Sequence, residues 1–267
     1  MTKLEPIHLS EIPIEIKQYV GTIHSISFPR QGYTSDVGII DTSSGMYALK
    51  RTKGEIFSSW LHKEVTVINL LVSGSTLPIP KVKRFIMEKN KGQSWALLDF
   101  FEGETLRTAL FNEEDAEKRR EMIFNFGKTL SQIHLTPCPK EFIHEQPWID
   151  KMLIQAECNL KNSKVDGTGP LLEKIKMNRP NEYKQTLIHG DYTIDNVLVK
   201  NGLITGVIDW GGGAYGDPRY DVSIAIRPKP NAFENEVDQQ IFFEGYGKKI
   251  INKREYDYFV NGLYEFF

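Results

Sequence analysis

One stretch, TLIHGDYTIDNVLVKNGLITGVIDWGGGAYGDPRYD from Thr186 to Asp221, constrains this chain more than any other. Asp191 follows a short, largely β-branched run, Thr186-Leu187-Ile188, and the pair His189-Gly190. Asn196 comes five residues later, and Asp209 closes a second apolar run, Val207-Ile208. Between them, Asn201-Gly202 separates Val197-Leu198-Val199 from Leu203-Ile204-Thr205, the strongest short-range signal for a β-hairpin. A hairpin here folds the chain back on itself and brings the Asp209 carboxylate towards the loop that carries Asp191 and Asn196. Two carboxylates and one amide oxygen then face one small volume.

Such a set suits phosphoryl transfer from a nucleotide. Magnesium takes hard oxygen ligands, keeps several waters and needs only one or two protein carboxylates. Asn196 and Asp209 meet that need, which leaves Asp191 to accept the proton of an attacking hydroxyl. The spacing D-x4-N followed by I-D-W, within H-G-D-Y-T-I-D-N, resembles the catalytic and metal-binding loops of the aminoglycoside phosphotransferase and choline kinase-like family, relatives of the protein kinases. The His-Gly before the aspartate is closer to that family than to the H-R-D of protein kinases. The resemblance implies an α+β, protein-kinase-like two-lobed fold as one kinase domain over residues 1–267. A small β-rich lobe would run to about residue 100, with a hinge near 99–103 and a larger helical lobe over about 104–267. It also implies Mg2+ and ATP or GTP as cofactors.

Composition narrows the partners. The chain has 267 residues, enough for two lobes with ample core, and 33 basic residues against 35 acidic ones, a formal net charge of -2. No basic excess points to nucleic acid. Cys138 and Cys158 are the only cysteines, too few for a disulfide framework. No run of eighteen apolar residues occurs, so the sequence reads as a soluble cytoplasmic protein with no membrane partner. The expected partners are a nucleotide and a small-molecule hydroxyl acceptor; the oligomeric state stays open.

Residues 19 to 100 read as short strands with one helix among them. Tyr19 to Phe28 and Val37 to Ile40 flank the turn-prone residues 29–36. In the family this turn lies over phosphates, which makes Thr34 and Ser35 candidate nucleotide contacts although no G-x-G-x-x-G is present. Ser43-Ser44-Gly45 turns into Met46-Tyr47-Ala48-Leu49-Lys50, which resembles the V-A-I-K lysine strand of kinases. The resemblance implies that Lys50 holds phosphate oxygens and that Ala48 leaves room for the adenine ring. Phe57 to Leu71 has helical apolar spacing at Trp60, Leu61, Val65, Ile68 and Leu71, and Glu64 is the partner expected for Lys50. The following L-P-I-P-K-V resembles the family's L-P-V-P-K-V. Ser94 to Leu98 reads as a buried strand leading to the hinge, where backbone groups near Asp99 and Phe101 would meet the adenine edge.

Beyond Gly103 the pattern becomes helical. Asn112 to Glu114 supplies a cap and an acidic first turn, and Met122, Ile123, Phe126, Leu130 and Ile133 mark one helix face. His134 reads as a packed core histidine, and His189 as a brace for the Asp191 loop. Helices are expected from Trp148 to Leu160 and again ending near Asn178. In the family this region shapes the acceptor pocket, which makes Asp150, Glu157, Asp166, Glu173 and Glu182 candidates for a cationic acceptor. The pattern G-D-P-x-Y-D implies that Asp221 steadies the catalytic loop from the start of a helix. The ending Leu263 to Phe267 resembles the acidic-aromatic terminus of some aminoglycoside 3′-phosphotransferases, so Glu265 and the Phe267 carboxylate would hold acceptor amines. Those enzymes commonly carry arginine three residues after the metal aspartate, where this chain has Gly212.

The expected function is therefore transfer of a nucleotide γ-phosphate to a small-molecule hydroxyl, with an aminoglycoside as the first acceptor. A homoserine, choline, methylthioribose or macrolide acceptor is the alternative on the same scaffold, as is a kinase-like nucleotide sensor without catalysis.

Overall fold

Alternating apolar residues in the first hundred positions pair into a sheet, and helical periodicities dominate the rest. The computed structural model describes residues 5–29, 32 and 34–267. Three residues of the turn-prone segment, Arg30, Gln31 and Tyr33, lie outside the described residues. The chain divides into two compact units, Met1–Glu102 and Gly103–Phe267.

The first unit is built on an antiparallel sheet of β1 (Ile23–Ser27), β2 (Asp36–Thr42), β3 (Gly45–Lys53), β4 (Val82–Glu88) and β5 (Gln93–Asp99), in the order β1-β2-β3-β5-β4. Side chains alternate across a strand, so Leu49 and Arg51 take one face of β3 while Ala48 and Lys50 take the other. Leu49 packs with Ile40, Trp95 and Leu97 against Ile12, Ile16 and Val20. Those last three residues recur every four positions, the spacing of one helix face, and belong to the N-terminal segment with helix α1 (Ile14–Val20). Tyr19 and Val20, read from sequence as strand, are therefore helical, and β1 starts only after Gly21, whose φ of 74° ends the helix.

Arg51, fully buried, fastens this segment to the sheet. Its guanidinium donates to Asp36 Oδ2 at 2.8 Å, to Glu11 Oε2 at 2.9 Å and to the Glu5 carbonyl at 3.0 Å. Helix α2 (Glu55–Val72) packs against β3, β4 and β5. It buries Leu61, Val65, Ile68 and Leu71, but leaves Trp60, expected on the same stripe, 48% exposed.

In the second unit, β6 (Glu104–Thr105) and helix α3 (Leu106–Asn112) lead to the long helix α4 (Ala116–Leu135). Asn112, expected as a cap, is the last residue of α3. Asp115 caps α4 instead, accepting from the amides of Glu117 and Lys118 at 2.9 and 3.2 Å. Met122, Ile123, Phe126, Leu130 and Ile133 are all buried on its inner face. Helices α5 (Trp148–Asn162) and α6 (Gly169–Met177) follow. Next come β7 (Thr186–Ile188), β8 (Val197–Lys200), β9 (Leu203–Val207) and β10 (Ala214–Gly216). The hairpin falls where its turn chemistry puts it, with Asn201 and Gly202 at φ 53° and 78° between β8 and β9.

Helices α7 (Pro218–Ala225), α8 (Glu236–Tyr246) and α9 (Lys253–Val260) complete the unit. Phe259, Leu263 and Phe266 are fully buried, as a continuous helix face would require, yet the helix stops at Val260 and a separate 3-10 turn carries Leu263–Phe266. The fold is α+β. Among the described residues no helix is long and apolar enough to cross a membrane.

Candidate active site

Strand β7 delivers the chain into the loop His189-Gly190-Asp191, and β10 pairs antiparallel with β7, Ala214 opposite Ile188 and Gly216 opposite Thr186. That pairing lays the segment after Asp209 alongside the segment before Asp191. The two backbones then touch: a Cβ on Gly190, whose φ is 81°, would lie 2.3 Å from the Gly212 carbonyl oxygen, and one on Gly212 would lie 2.9 Å from the Gly190 backbone. Glycine at both positions is a condition of this approach.

Asp221, fully buried near the start of α7, holds the loop from beneath. Its carboxylate accepts from the amides of His189 at 2.6 Å and Gly190 at 2.8 Å, and its Oδ2 lies 3.3 Å from His134 Nε2. His189 Nδ1 accepts from the Asp191 amide at 3.2 Å, which leaves Nε2 to donate to the Ile208 carbonyl at 2.9 Å. One buried imidazole thus ties the Asp191 loop to the strand end preceding Asp209. Tyr192 stacks on Phe126 at 4.6 Å and donates to its carbonyl at 2.9 Å, anchoring the same loop to α4.

The side-chain amide of Asn196 donates to Asp191 Oδ2 at 2.8 Å and to the Asp191 carbonyl at 2.9 Å. Its Nδ2 is thereby spent, and its Oδ1 is the atom left to act as a ligand. The Ile208 amide donates to the Asn196 carbonyl at 2.9 Å, so Asp209 follows directly on a residue bonded to Asn196. Asp209 itself sits in the left-handed region, φ 63° and ψ 55°, an uncommon conformation for a residue with a side chain. Burial, then the neighbouring charge of Asp209, push the Asp191 carboxyl up to about 7, although the Asn196 hydrogen bond pulls the other way. The Asp191 and Asp209 carboxylates and the Asn196 amide oxygen are hard-oxygen groups, the ligand type that Mg2+ takes.

In the first unit, Lys50 Nζ contacts Glu64 Oε1 at 2.7 Å, both side chains being about nine-tenths buried. Ala48 lies on the same face of β3 as Lys50, opposite Leu98 of β5. The Asp99 amide is taken by the Lys81 carbonyl at 3.0 Å, and its carboxylate binds Lys83 at 2.6 Å. Thr34 is exposed and Ser35 half-buried at the bend before β2, and Phe101 is half-buried after β5.

The acidic residues expected to meet a cationic acceptor are placed unevenly. Glu157 is held by Lys161 at 2.8 Å and Lys176 at 3.2 Å, Glu173 by Lys176, and Asp150 by Arg179. Glu265 uses its backbone to hold Gly167, and Phe267 is exposed. Sequence reasoning passes over Arg227, whose guanidinium lies over the Tyr264 ring, 5.0 Å from its centre. Its only signal is the run Arg227-Pro228-Lys229-Pro230, which reads as an ordinary loop.

The class of protein, a small-molecule kinase with a protein-kinase-like fold, is shown by its relatives. A solved structure, the GDP and kanamycin complex of APH(2")-IIia, matches with a TM-score of 0.68 over 92% of this chain and 86% of that one, at 19% identity. The model of the phosphotransferase enzyme family matches residues 25–257, and the chain belongs to that family. Among curated relatives, an aminoglycoside 3'-phosphotransferase of Enterococcus faecalis is 25% identical over 181 residues, 65% of this chain and 67% of that protein. A homoserine kinase of Neisseria meningitidis serogroup B is 27% identical over 169 residues, 58% of this chain and 53% of that protein.

Proposed function

We propose that this phosphotransferase moves the γ-phosphate of ATP or GTP to a hydroxyl of a small molecule, with Asp191 as the base. The observation that carries the reading is the Asp191 carboxyl, oriented by Asn196 at 2.8 Å and raised to about 7 by burial and Asp209. A general base is most effective when its pKa lies near the working pH. The acceptor oxygen forms its bond to the γ-phosphorus as the bond to the leaving nucleoside diphosphate breaks, the electron pair staying on the diphosphate oxygen. The acceptor's proton passes to Asp191 and then to solvent.

Asn196 Oδ1 and the Asp209 carboxylate would hold Mg2+. When bound, the ion neutralises charge on the transferring and leaving oxygens. Lys50, fixed by Glu64, would bind nucleotide phosphates, with Thr34 and Ser35, in the turn that corresponds to the family's phosphate-facing loop, as further contacts. Ala48 and the backbone at Asp99 and Phe101 would receive the base; since the Asp99 amide is already bonded to Lys81, its carbonyl is the group for that role. Nucleotide use is supported by the ligand named for the solved structure, GDP.

The names of the two relatives, an aminoglycoside phosphotransferase and a homoserine kinase, bracket two acceptor chemistries, a polyamine and an amino acid. Glu265 and Phe267 would serve the former. The test is incubation with magnesium and ATP or GTP against a panel of aminoglycosides and hydroxylated metabolites, with the phosphorylated product read by mass. A product on any acceptor supports the reading, whereas nucleotide binding with no product on any acceptor favours the sensor alternative.

A further inference from the structure

The turn that leads from Asp191 to Asn196 is closed by a backbone hydrogen bond from the Asn196 amide to the Thr193 carbonyl at 3.0 Å. Its two central residues are Ile194 and Asp195, and Arg107 of helix α3 holds both. The Arg107 amide donates to the Ile194 carbonyl at 2.9 Å. Its guanidinium grips the Asp195 carboxylate with two prongs, Nε on Oδ1 and Nη2 on Oδ2. A residue 88 positions earlier in the chain thus fastens the turn at backbone and side chain together.

Arg107 is itself firmly presented. Strand β6 pairs antiparallel with β8, Glu104 opposite Val199 and Thr105 opposite Leu198. Just before it, Gly103 comes so near that a Cβ there would lie 2.3 Å from the Val199 carbonyl oxygen. Thr105 then caps α3, accepting from the Thr108 amide at 3.2 Å, and Leu106 is fully buried. Residues 103–107 therefore run as a splint along residues 194–199, and Asn196 lies within the splinted stretch.

The pair contributes little to stability. The Arg107 and Asp195 side chains are 20% and 38% exposed, and solvent screens an ion pair as open as this. Its geometric effect is larger, because a forked guanidinium fixes both the position and the plane of a carboxylate, which an ammonium cannot do. What it fixes adjoins Asn196, whose side-chain amide orients the Asp191 carboxylate at 2.8 Å. On its other side Asn196 is held by the Ile208 amide at 2.9 Å.

We infer that Arg107 is a positioning residue for the reaction: by gripping Ile194 and Asp195 it sets the turn that presents Asn196, and through Asn196 it sets the Asp191 carboxylate and the magnesium ligand Oδ1. This rests on the reading of Asp191 as the base and of Asn196 as a ligand.

The test compares wild type with Arg107→Gln, Arg107→Lys, Asp195→Asn and the double variant Arg107→Gln with Asp195→Asn. Apparent magnesium affinity is read by titrating Mg2+ into protein with a non-hydrolysable ATP analogue. Transfer from ATP to kanamycin, L-homoserine, choline and glycerol is followed at saturating magnesium and nucleotide, and melting is recorded for every variant. Arg107→Gln should lower kcat and magnesium affinity by about tenfold or more each, the usual effect of removing a group that orients a metal ligand. The KM for the acceptor should stay within a few-fold of wild type, and melting within about 4 °C. Asp195→Asn should match it, the double variant should be no worse than either single variant, and Arg107→Lys should recover part of the loss.

Turnover and magnesium affinity close to wild type in Arg107→Gln would overturn the inference. So would losses that multiply in the double variant, or that follow a large fall in melting temperature without rescue by lysine, which would make the pair a structural tie only. Lower magnesium affinity in Arg107→Gln, with no transfer by the wild type to any compound, would sustain the grip on Asn196 and count against the phosphotransfer reading. Transfer by the wild type, unaffected in Arg107→Gln, would do the reverse.

Discussion

The Asn196 side-chain amide donates twice to Asp191, once to the carboxylate at 2.8 Å and once to the carbonyl at 2.9 Å. One residue therefore orients the proposed base with its nitrogen, and in the proposed function its oxygen would be a magnesium ligand. Asn196→Asp keeps an oxygen but loses both hydrogen bonds and sets a third negative charge beside Asp191 and Asp209. Turnover should fall by about 10²-fold, the scale of a misplaced catalytic group, while the magnesium requirement persists. Steady-state kinetics across a magnesium titration separate this from simple loss of the metal.

The raised Asp191 carboxyl predicts how stability depends on pH. Its value moves from 3.8 to about 7 on folding, so the folded protein holds a proton that the unfolded chain has lost. The cost of ionising Asp191 is absent below about pH 4, grows as pH rises through the interval, and is complete above about pH 7. Asp191→Asn removes it, and should stabilise the metal-free protein at pH 8 by up to a few kcal/mol at about 1.4 kcal/mol per unit. At pH 4 the difference should vanish. Urea titrations at the two pH values check this, and an equal effect at both would contradict it.

Asp221 accepts two backbone hydrogen bonds and faces His134 with no exposure to solvent. Asp221→Ala strands the amides of His189 and Gly190 and should cost about 3–5 kcal/mol, the range for breaking a buried charged network. Denaturant midpoints measure it. Loss of turnover without loss of stability would mean that Asp221 is not the brace of this loop.

Gly212 stands where aminoglycoside 3′-phosphotransferases commonly carry arginine. Any side chain there would enter the Gly190 backbone, its Cβ 2.9 Å from Gly190 Cα. Gly212→Arg should therefore lower stability by at least about 1–3 kcal/mol, the usual scale of overpacking, and should not confer tighter aminoglycoside binding. A stable variant with improved kanamycin affinity, read by calorimetry, would contradict this account of the loop.

What sequence alone reveals of this protein depends on the range of the signal. The β8–β9 hairpin is legible because Asn201-Gly202 encodes its own positive φ values. The bracing roles of His189 and Asp221 follow from a compact ordered motif, and both side chains make bonds suited to those roles. Helix α1 is hidden because it is only seven residues long, and the cap of α4 is displaced because Asn112 to Asp115 offers several capping residues in a row. Tertiary contacts leave no trace of this kind. The closeness of Gly190 to Gly212 depends on pairing two three-residue strands.

The most direct test of the central claim is Asp191→Asn assayed for phosphoryl transfer and, separately, for nucleotide affinity. Asp191 as the base predicts a loss of about 10² to 10⁴-fold in turnover, with the dissociation constant for magnesium-nucleotide within a few-fold of wild type. Turnover close to that of the wild type would contradict it.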